Sequence, residues 1–181
     1  MGRRGSTPSY TLNIPRLSLI GIPGGVDGVV RLSAAALRDV NCKRTAVNLD
    51  HNDVGDTGAK QLRDAIQDVH CKLTELNLKY NHIGENGAVQ LSDALQDKSC
   101  RLTLLYFSNN RLIDSGAAHL SDALEHGNCK LKMLYVSNNH LLDSEAEHLS
   151  GVTRPLRQLG DRTLSKLSHD ENIMGNKCAL E

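Results

Sequence analysis

Along the 181-residue chain, apolar positions recur at a fixed spacing from about residue 42 to residue 152. Each unit opens with a short alternating stretch such as Glu75-Leu76-Asn77-Leu78-Lys79, in which Leu76 and Leu78 fall on one side. A period of two buries one face of a β-strand. The second half of the unit sets Ala88, Leu91, Ala94 and Leu95 at i, i+3, i+6 and i+7, the stripe by which a helix lies on a core. The pattern therefore predicts one strand and then one helix in every unit. A single unit leaves apolar edges open, so successive units must stack.

Marker residues fix the period. Cys42, Cys71, Cys100 and Cys129 are spaced by 29 residues, and so are Asn52, Asn81, Asn110 and Asn139. Between them each unit reads C-x-L-x-x-L-x-L-x-x-N and then I/L-x-acid-x-G-A-x-x-L-x-x-A-L. In the third unit these positions are Leu102, Leu105, Phe107 and Asn110, then Asp114, Gly116, Ala117, Leu120, Ala123 and Leu124. Asp56, Glu85, Asp114 and Asp143 open the helical halves, where a carboxylate meets the positive end of the helix dipole. Gly58, Gly87 and Gly116 let the backbone pass closely there, and Glu145 breaks that pattern in the last full unit.

This pattern resembles the ribonuclease-inhibitor-like class of leucine-rich repeats, which also occurs in the C-terminal part of nucleotide-binding leucine-rich-repeat (NOD-like) innate-immune receptors. The resemblance covers about residues 42 to 152. It implies an α/β fold, a leucine-rich-repeat solenoid or horseshoe of 29-residue repeats with parallel strands on the concave face and helices on the convex face. It also implies that Asn52, Asn81, Asn110 and Asn139 form a ladder whose amides bond the backbone of adjacent coils.

The expected organisation is an N-terminal tail at 1–16, a degenerate capping repeat at 17–41 and four repeats at 42–70, 71–99, 100–128 and 129–152. A degenerate repeat or tail follows at 153–181. In the cap, Leu17-Ser-Leu19 aligns with Val47-Asn-Leu49 at an offset of 30, with Ile22 where asparagine is expected. Beyond Pro155, Leu164-Ser-Lys-Leu167 with Asn172 and Gly175 resembles a fifth strand segment displaced by several residues; the alternative is a frayed end.

Composition narrows the chemistry. Lys+Arg and Asp+Glu number 21 each and aromatic residues make up 3%, so neither the electrostatic nor the stacking footprint of nucleic-acid binding is present. No stretch approaches the roughly 20 apolar residues of a membrane span, and a cytoplasmic setting is expected. Of five cysteines, without a C-x-x-C pair, the four in the series read as buried apolar thiols rather than zinc ligands or disulfides, and Cys178, outside the series, is open to exposure. His119 and His148 share one helical position and His82 and His140 a loop position, without carboxylates or cysteines at ligand spacing. There is no G-x-S-x-G, no phosphate loop and no H-E-x-x-H. A non-enzyme without cofactor or metal is expected. Met1-Gly2-Arg3-Arg4-Gly5-Ser6 fits a short myristoylation pattern and Cys178-Ala-Leu-Glu181 outlines a prenylation box, but neither enters the functional reading.

The outward strand positions then list the concave face. One column is Ala46, Glu75, Leu104 and Met133, and the next is Asn48, Asn77, Tyr106 and Tyr135. A third is Asp50, Lys79, Ser108 and Ser137, flanked by His51, Tyr80, Asn109 and Asn138. Leu104, Tyr106, Met133 and Tyr135, with Tyr80, Asn109 and Asn138 at their edge, have the composition of an interface core. A protein partner is expected there. The alternative is an enzyme inhibitor or small-GTPase regulator, against which stands the lack of an arginine on a concave strand position. Self-association through the solenoid ends is a third class.

Overall fold

A computed structural model describes residues 15–22 and 26–142, together with one strand at 166–168. The elements alternate: β1 (Arg16–Ser18), α1 (Val26–Arg38), β2 (Ala46–Asn48), α2 (Gly55–Ile66), β3 (Glu75–Asn77), α3 (Glu85–Gln96), β4 (Leu104–Tyr106), α4 (Asp114–Glu125), β5 (Met133–Tyr135) and β6 (Lys166–Ser168). All six strands form one parallel sheet in sequence order. The fold is an α/β leucine-rich-repeat solenoid. Neighbouring strands lie ~4.8 Å apart whereas packed helices need about 8–10 Å, so the stack curves with the sheet on the inside.

Registers follow the period within the array, pairing Leu76 with Leu105 and Leu105 with Leu134. Both ends depart from it. The first strand begins at Arg16, one residue before the expected start of the cap, and pairs Leu17 with Val47. At the other end Leu134 pairs with Leu167, four positions later than the period would give. The positions of Met1–Ser6, Asp143, Glu145, His148 and Cys178 lie outside the described residues.

The core is aliphatic. Val47, Leu76, Leu105 and Leu134 point inward from the strands and meet Leu62, Leu91 and Leu120 from the helices, with Phe107 as the one buried ring in the described core. Each described helix after the first packs closely on the loop before it and on the preceding helix because glycine stands in its first turn. A Cβ on Gly87 would collide with Ile83 and lie 2.6 Å from Asp56 Oδ1, and one on Gly116 would lie 2.9 Å from Leu112. Asp56 has a second task, since its Oδ1 accepts the Gly84 amide of the next repeat at 2.8 Å. Asp114 does the same for Leu142 at 2.9 Å.

Strands of three residues make few ladder bonds, so side chains tie their ends. At the C-terminal end stand the four asparagines, all buried. Asn110 Nδ2 donates to Leu78 O of the preceding repeat at 2.8 Å and to Phe107 O of its own at 3.0 Å. Its Oδ1 accepts the amides of Asn81 and Ile83 at 3.1 and 3.0 Å. Asn81 and Asn139 repeat the scheme, and Asn52 carries it into the cap by donating to Leu19 O and accepting from Ile22 N. Ile22, standing at the asparagine position, is itself exposed. At the N-terminal end, Thr74 Oγ1 donates to Thr45 O at 3.0 Å and Thr103 Oγ1 to Thr74 O at 3.1 Å.

Two predictions follow from this packing. Asn110→Ala removes the side-chain partner of the buried Leu78 carbonyl and of the Asn81 and Ile83 amides, while Phe107 O keeps Asn139 Nδ2, and urea unfolding should register a loss of at least about 2 kcal/mol. Gly87→Ala should lose about 1–3 kcal/mol by overpacking. Gly28→Ala, on α1 where a Cβ meets open space, should gain about 0.5 kcal/mol in the same assay.

Candidate interaction face

The pleat that buries Leu76, Leu105 and Leu134 turns their neighbours into the concavity. The registers set Arg16, Ala46, Glu75, Leu104 and Met133 in one column, and Ser18, Asn48, Asn77, Tyr106 and Tyr135 in the next. Tyr106 and Tyr135 are stacked, with ring centroids 4.8 Å apart and planes inclined by 16°. Lys79 Nζ stands 5.0 Å from the centroid of Tyr106. Leu104 and Met133, both half-buried, adjoin the pair on the same two strands. Burial, then the neighbouring Tyr135 and Glu75, push the Tyr106 phenol above its ordinary range, with Arg16 opposing. The phenol thus remains protonated at neutral pH.

Arg16 corrects the sequence reading. Because β1 starts one residue early, an arginine does occupy a concave strand position, and its Nη2 reaches Glu75 Oε2 at 3.6 Å. The two are separated in the column by Ala46, whose methyl is too short to intervene and is itself 8% exposed rather than an outward contact. Ser108, also expected outward, is buried as well. The Arg16 side chain is 78% exposed and this pair is a weak tie in water.

The expected cluster divides in two. Leu104, Tyr106, Met133 and Tyr135 come together, but Tyr80 stacks on His51, centroids 4.1 Å apart, and stands 45% exposed at the rim. His51, Tyr80, Asn109 and Asn138 hold the same repeat position and all have left-handed backbone, with φ of 55, 54, 58 and 55°. Asparagine tolerates that region best among residues with a side chain, so the choice of Asn109 and Asn138 answers first to the backbone. Tyr80 occupies it against its own preference.

Sequence reasoning missed two sets of residues. Ile113 and Leu142, at one repeat position in the strand-to-helix loops, are exposed apolar side chains on the rim of repeats three and four. Their period was visible, but they fall at the unassigned position between the I/L and the acid of the repeat pattern. Asn48 and Asn77 were read only as polar positions. Each Oδ1 accepts the amide two residues on, Asp50 N or Lys79 N, at 3.0 Å. An amide nitrogen cannot take that bond, so the orientation of both side chains is set and each Nδ2 is left without a hydrogen-bond partner among the described residues.

The histidines and cysteines are the remaining candidates for chemistry. His82 Nδ1 lies 2.7 Å from Asp53 Oδ1 rather than near His140, and among the described residues no three His, Cys, Asp or Glu groups gather as a metal site. Cys42, Cys71, Cys100 and Cys129 are free thiols, the first three buried. Burial pushes the Cys100 thiol from its usual 9.0 up to about 11, the Leu102 amide partly offsetting it, and raises Cys71 and Cys129 in the same direction. A thiol that holds its proton when folded and loses it when unfolded contributes stability in full below pH 9, and that share is lost as pH rises toward 11. Alkylation at pH 8 followed by peptide mapping should leave Cys71 and Cys100 unmodified until guanidinium is added. Rapid labelling of either in the native chain would contradict the packing described.

With this geometry in hand, the leucine-rich character is independently supported: residues 40–62 and 69–92 match the leucine-rich-repeat family model. No curated protein matches the chain. Among solved structures, the chain resembles one titled Leiomodin-1 Actin-Binding Site 2, with a TM-score of 0.62 and 21% identity over 82% of this chain and 87% of that one. At that identity the likeness speaks to the fold.

Proposed function

We propose that this chain is a non-enzymatic protein-interaction module that binds a protein partner through the concave face of its sheet. The stacked Tyr106–Tyr135 pair carries the reading, set beside Leu104 and Met133 on the same two strands and bounded by Lys79. Tyrosines held by stacking present large surface with little entropy left to lose, which is what an interface hot spot requires. The exposed Ile113 and Leu142 extend the apolar surface along the rim. The leiomodin neighbour, whose title describes an actin-binding site, is a case of this architecture serving protein recognition. An innate-immune-receptor-like role rests on the motif resemblance, and a cytoplasmic setting accords with four unpaired thiols.

A second reading, regulation of a small GTPase, draws on one observation: Arg16 is exposed on the concave face. GTP hydrolysis assays with wild type and Arg16→Ala decide it, since an effect lost with the guanidinium favours regulation and none favours plain binding.

The main reading is tested by capturing candidate proteins, actin first among them, on the immobilised full chain. The double change Tyr106→Ala plus Tyr135→Ala should lower retention of a bound partner at least tenfold, with an unchanged circular dichroism spectrum. Retention that survives the double change would remove the concave face from the interface.

A further inference from the structure

The centre of the concave face is one-sided in its hydrogen bonding. Asn48 and Asn77 stand side by side on β2 and β3, about 4.8 Å apart as adjacent strands are, and both must present their NH2 groups to the concavity. Two residues beyond Asn77, Lys79 leans over Tyr106 and forms no ion pair among the described residues. The carboxylates nearby are engaged elsewhere. Asp50, beside Lys79 in the third column, is held by its own neighbour His51 at 2.9 Å, and Glu75 lies 3.6 Å from Arg16. What faces the centre of the concavity without a hydrogen-bond or ion-pair partner among the described residues is therefore two amide NH2 groups and an ammonium, beside the paired Asp50 and Glu75 carboxylates and with the apolar floor of Leu104, Met133 and the tyrosine pair adjoining.

Donors without acceptors call for a ligand that supplies acceptors. We propose that the face takes an extended protein segment in which an acidic side chain, received by Asn48, Asn77 and Lys79, lies two or three residues from an apolar side chain seated on Leu104, Met133 and the stacked tyrosines. This deepens the concave-face reading and rests on it. The spacing follows from geometry, because one to two strand separations, about 5–10 Å, correspond to two residues of a β-extended segment at ~3.3 Å each or three of a polyproline-type one at ~3.1 Å each, the spacings at which side chains share a face. The carboxylate would complete charge-assisted bonds that the chain's own acids leave open. A basic segment would meet only the two carboxylates already paired.

The test is selection of twelve-residue peptides displayed on phage against the immobilised full chain. Selected sequences are then synthesised with a fluorescein label and titrated by anisotropy. The expected peptides carry Asp or Glu two or three positions from Leu, Ile, Met, Phe or Tyr. Replacing that acid by Asn or Gln, or raising salt from 50 to 300 mM, should weaken binding at least fivefold.

Asn77→Asp is the decisive variant. It keeps the oxygen that accepts Lys79 N and so preserves the turn, but removes the donor and sets a carboxylate beside Lys79; a loss of at least tenfold is expected. Selected peptides that lack acids, or that bind Asn77→Asp as well as wild type, overturn the inference. If those peptides still need the tyrosine pair, the concave-face reading stands without it. If binding ignores the tyrosine pair, that reading falls and takes the inference with it. A selection that enriches nothing also overturns the inference, since no linear segment is then bound.

Discussion

Everything in this molecule depends on satisfying the backbone where each strand ends and the chain turns toward its helix. Inter-coil backbone bonds such as His51 N to Lys79 O and Tyr80 N to Ser108 O carry the ladder past the strands, but buried groups such as Leu78 O and Ile83 N are reached by a side chain instead, and an unpaired buried group costs about 1–3 kcal/mol. Asparagine solves this because one short side chain both donates and accepts. Asn110 serves carbonyls in two repeats and amides in the preceding one, so each amide joins a coil to its neighbour as well as closing its own turn. Three-residue strands suffice on this account, since their ends are held by side chains: asparagine at one end and threonine hydroxyls at the other. The left-handed residues before the ladder, with φ near 55°, belong to the same turn.

That dependence explains which features can be read from the chain. A ladder works only if the same residue recurs in the same place, so its period appears in the sequence as Asn52, Asn81, Asn110 and Asn139. The inward leucines and the helix stripe are visible for the same reason. The ends are less legible because their strands depart from the 29-residue spacing. Ile22 stands where the ladder has asparagine and donates its amide to Asn52 Oδ1, and β6 pairs with β5 four residues beyond the periodic register. Arg16 was missed as a concave residue because no strand pattern longer than one pair of leucines announces β1.

The outward face is legible only in part, and the obstacle is physical. Alternation says which residues point out, but not how far each rises or what lies across it. Ala46 points outward and is nonetheless covered, because residues two strands apart reach toward each other over it. Tyr80 is aromatic and exposed, yet the turn geometry aims it at His51 rather than at the tyrosine pair. The orientation of Asn48 and Asn77 is a consequence of a bond to the amide two residues on, which no periodicity encodes.

Size sets what such a face can do. The four repeats have four outward positions each, 16 in all with Ala46 and Ser108 among them buried, fewer than the about 20–30 that a standard interface draws from each partner. Spread evenly, contacts over so small an area would be weak. Affinity on a short solenoid must therefore be concentrated, and the sheet favours concentration, since its backbone is fixed on both sides and a stacked ring pair has little freedom to lose on binding. The asymmetry of the face then acquires a purpose: repeats three and four supply apolar surface, whereas repeats one and two supply oriented polar groups. Under the proposed binding mode, a partner is selected by how far apart its acid and its apolar side chain lie, a distance read against a strand spacing that the asparagine ladder holds constant.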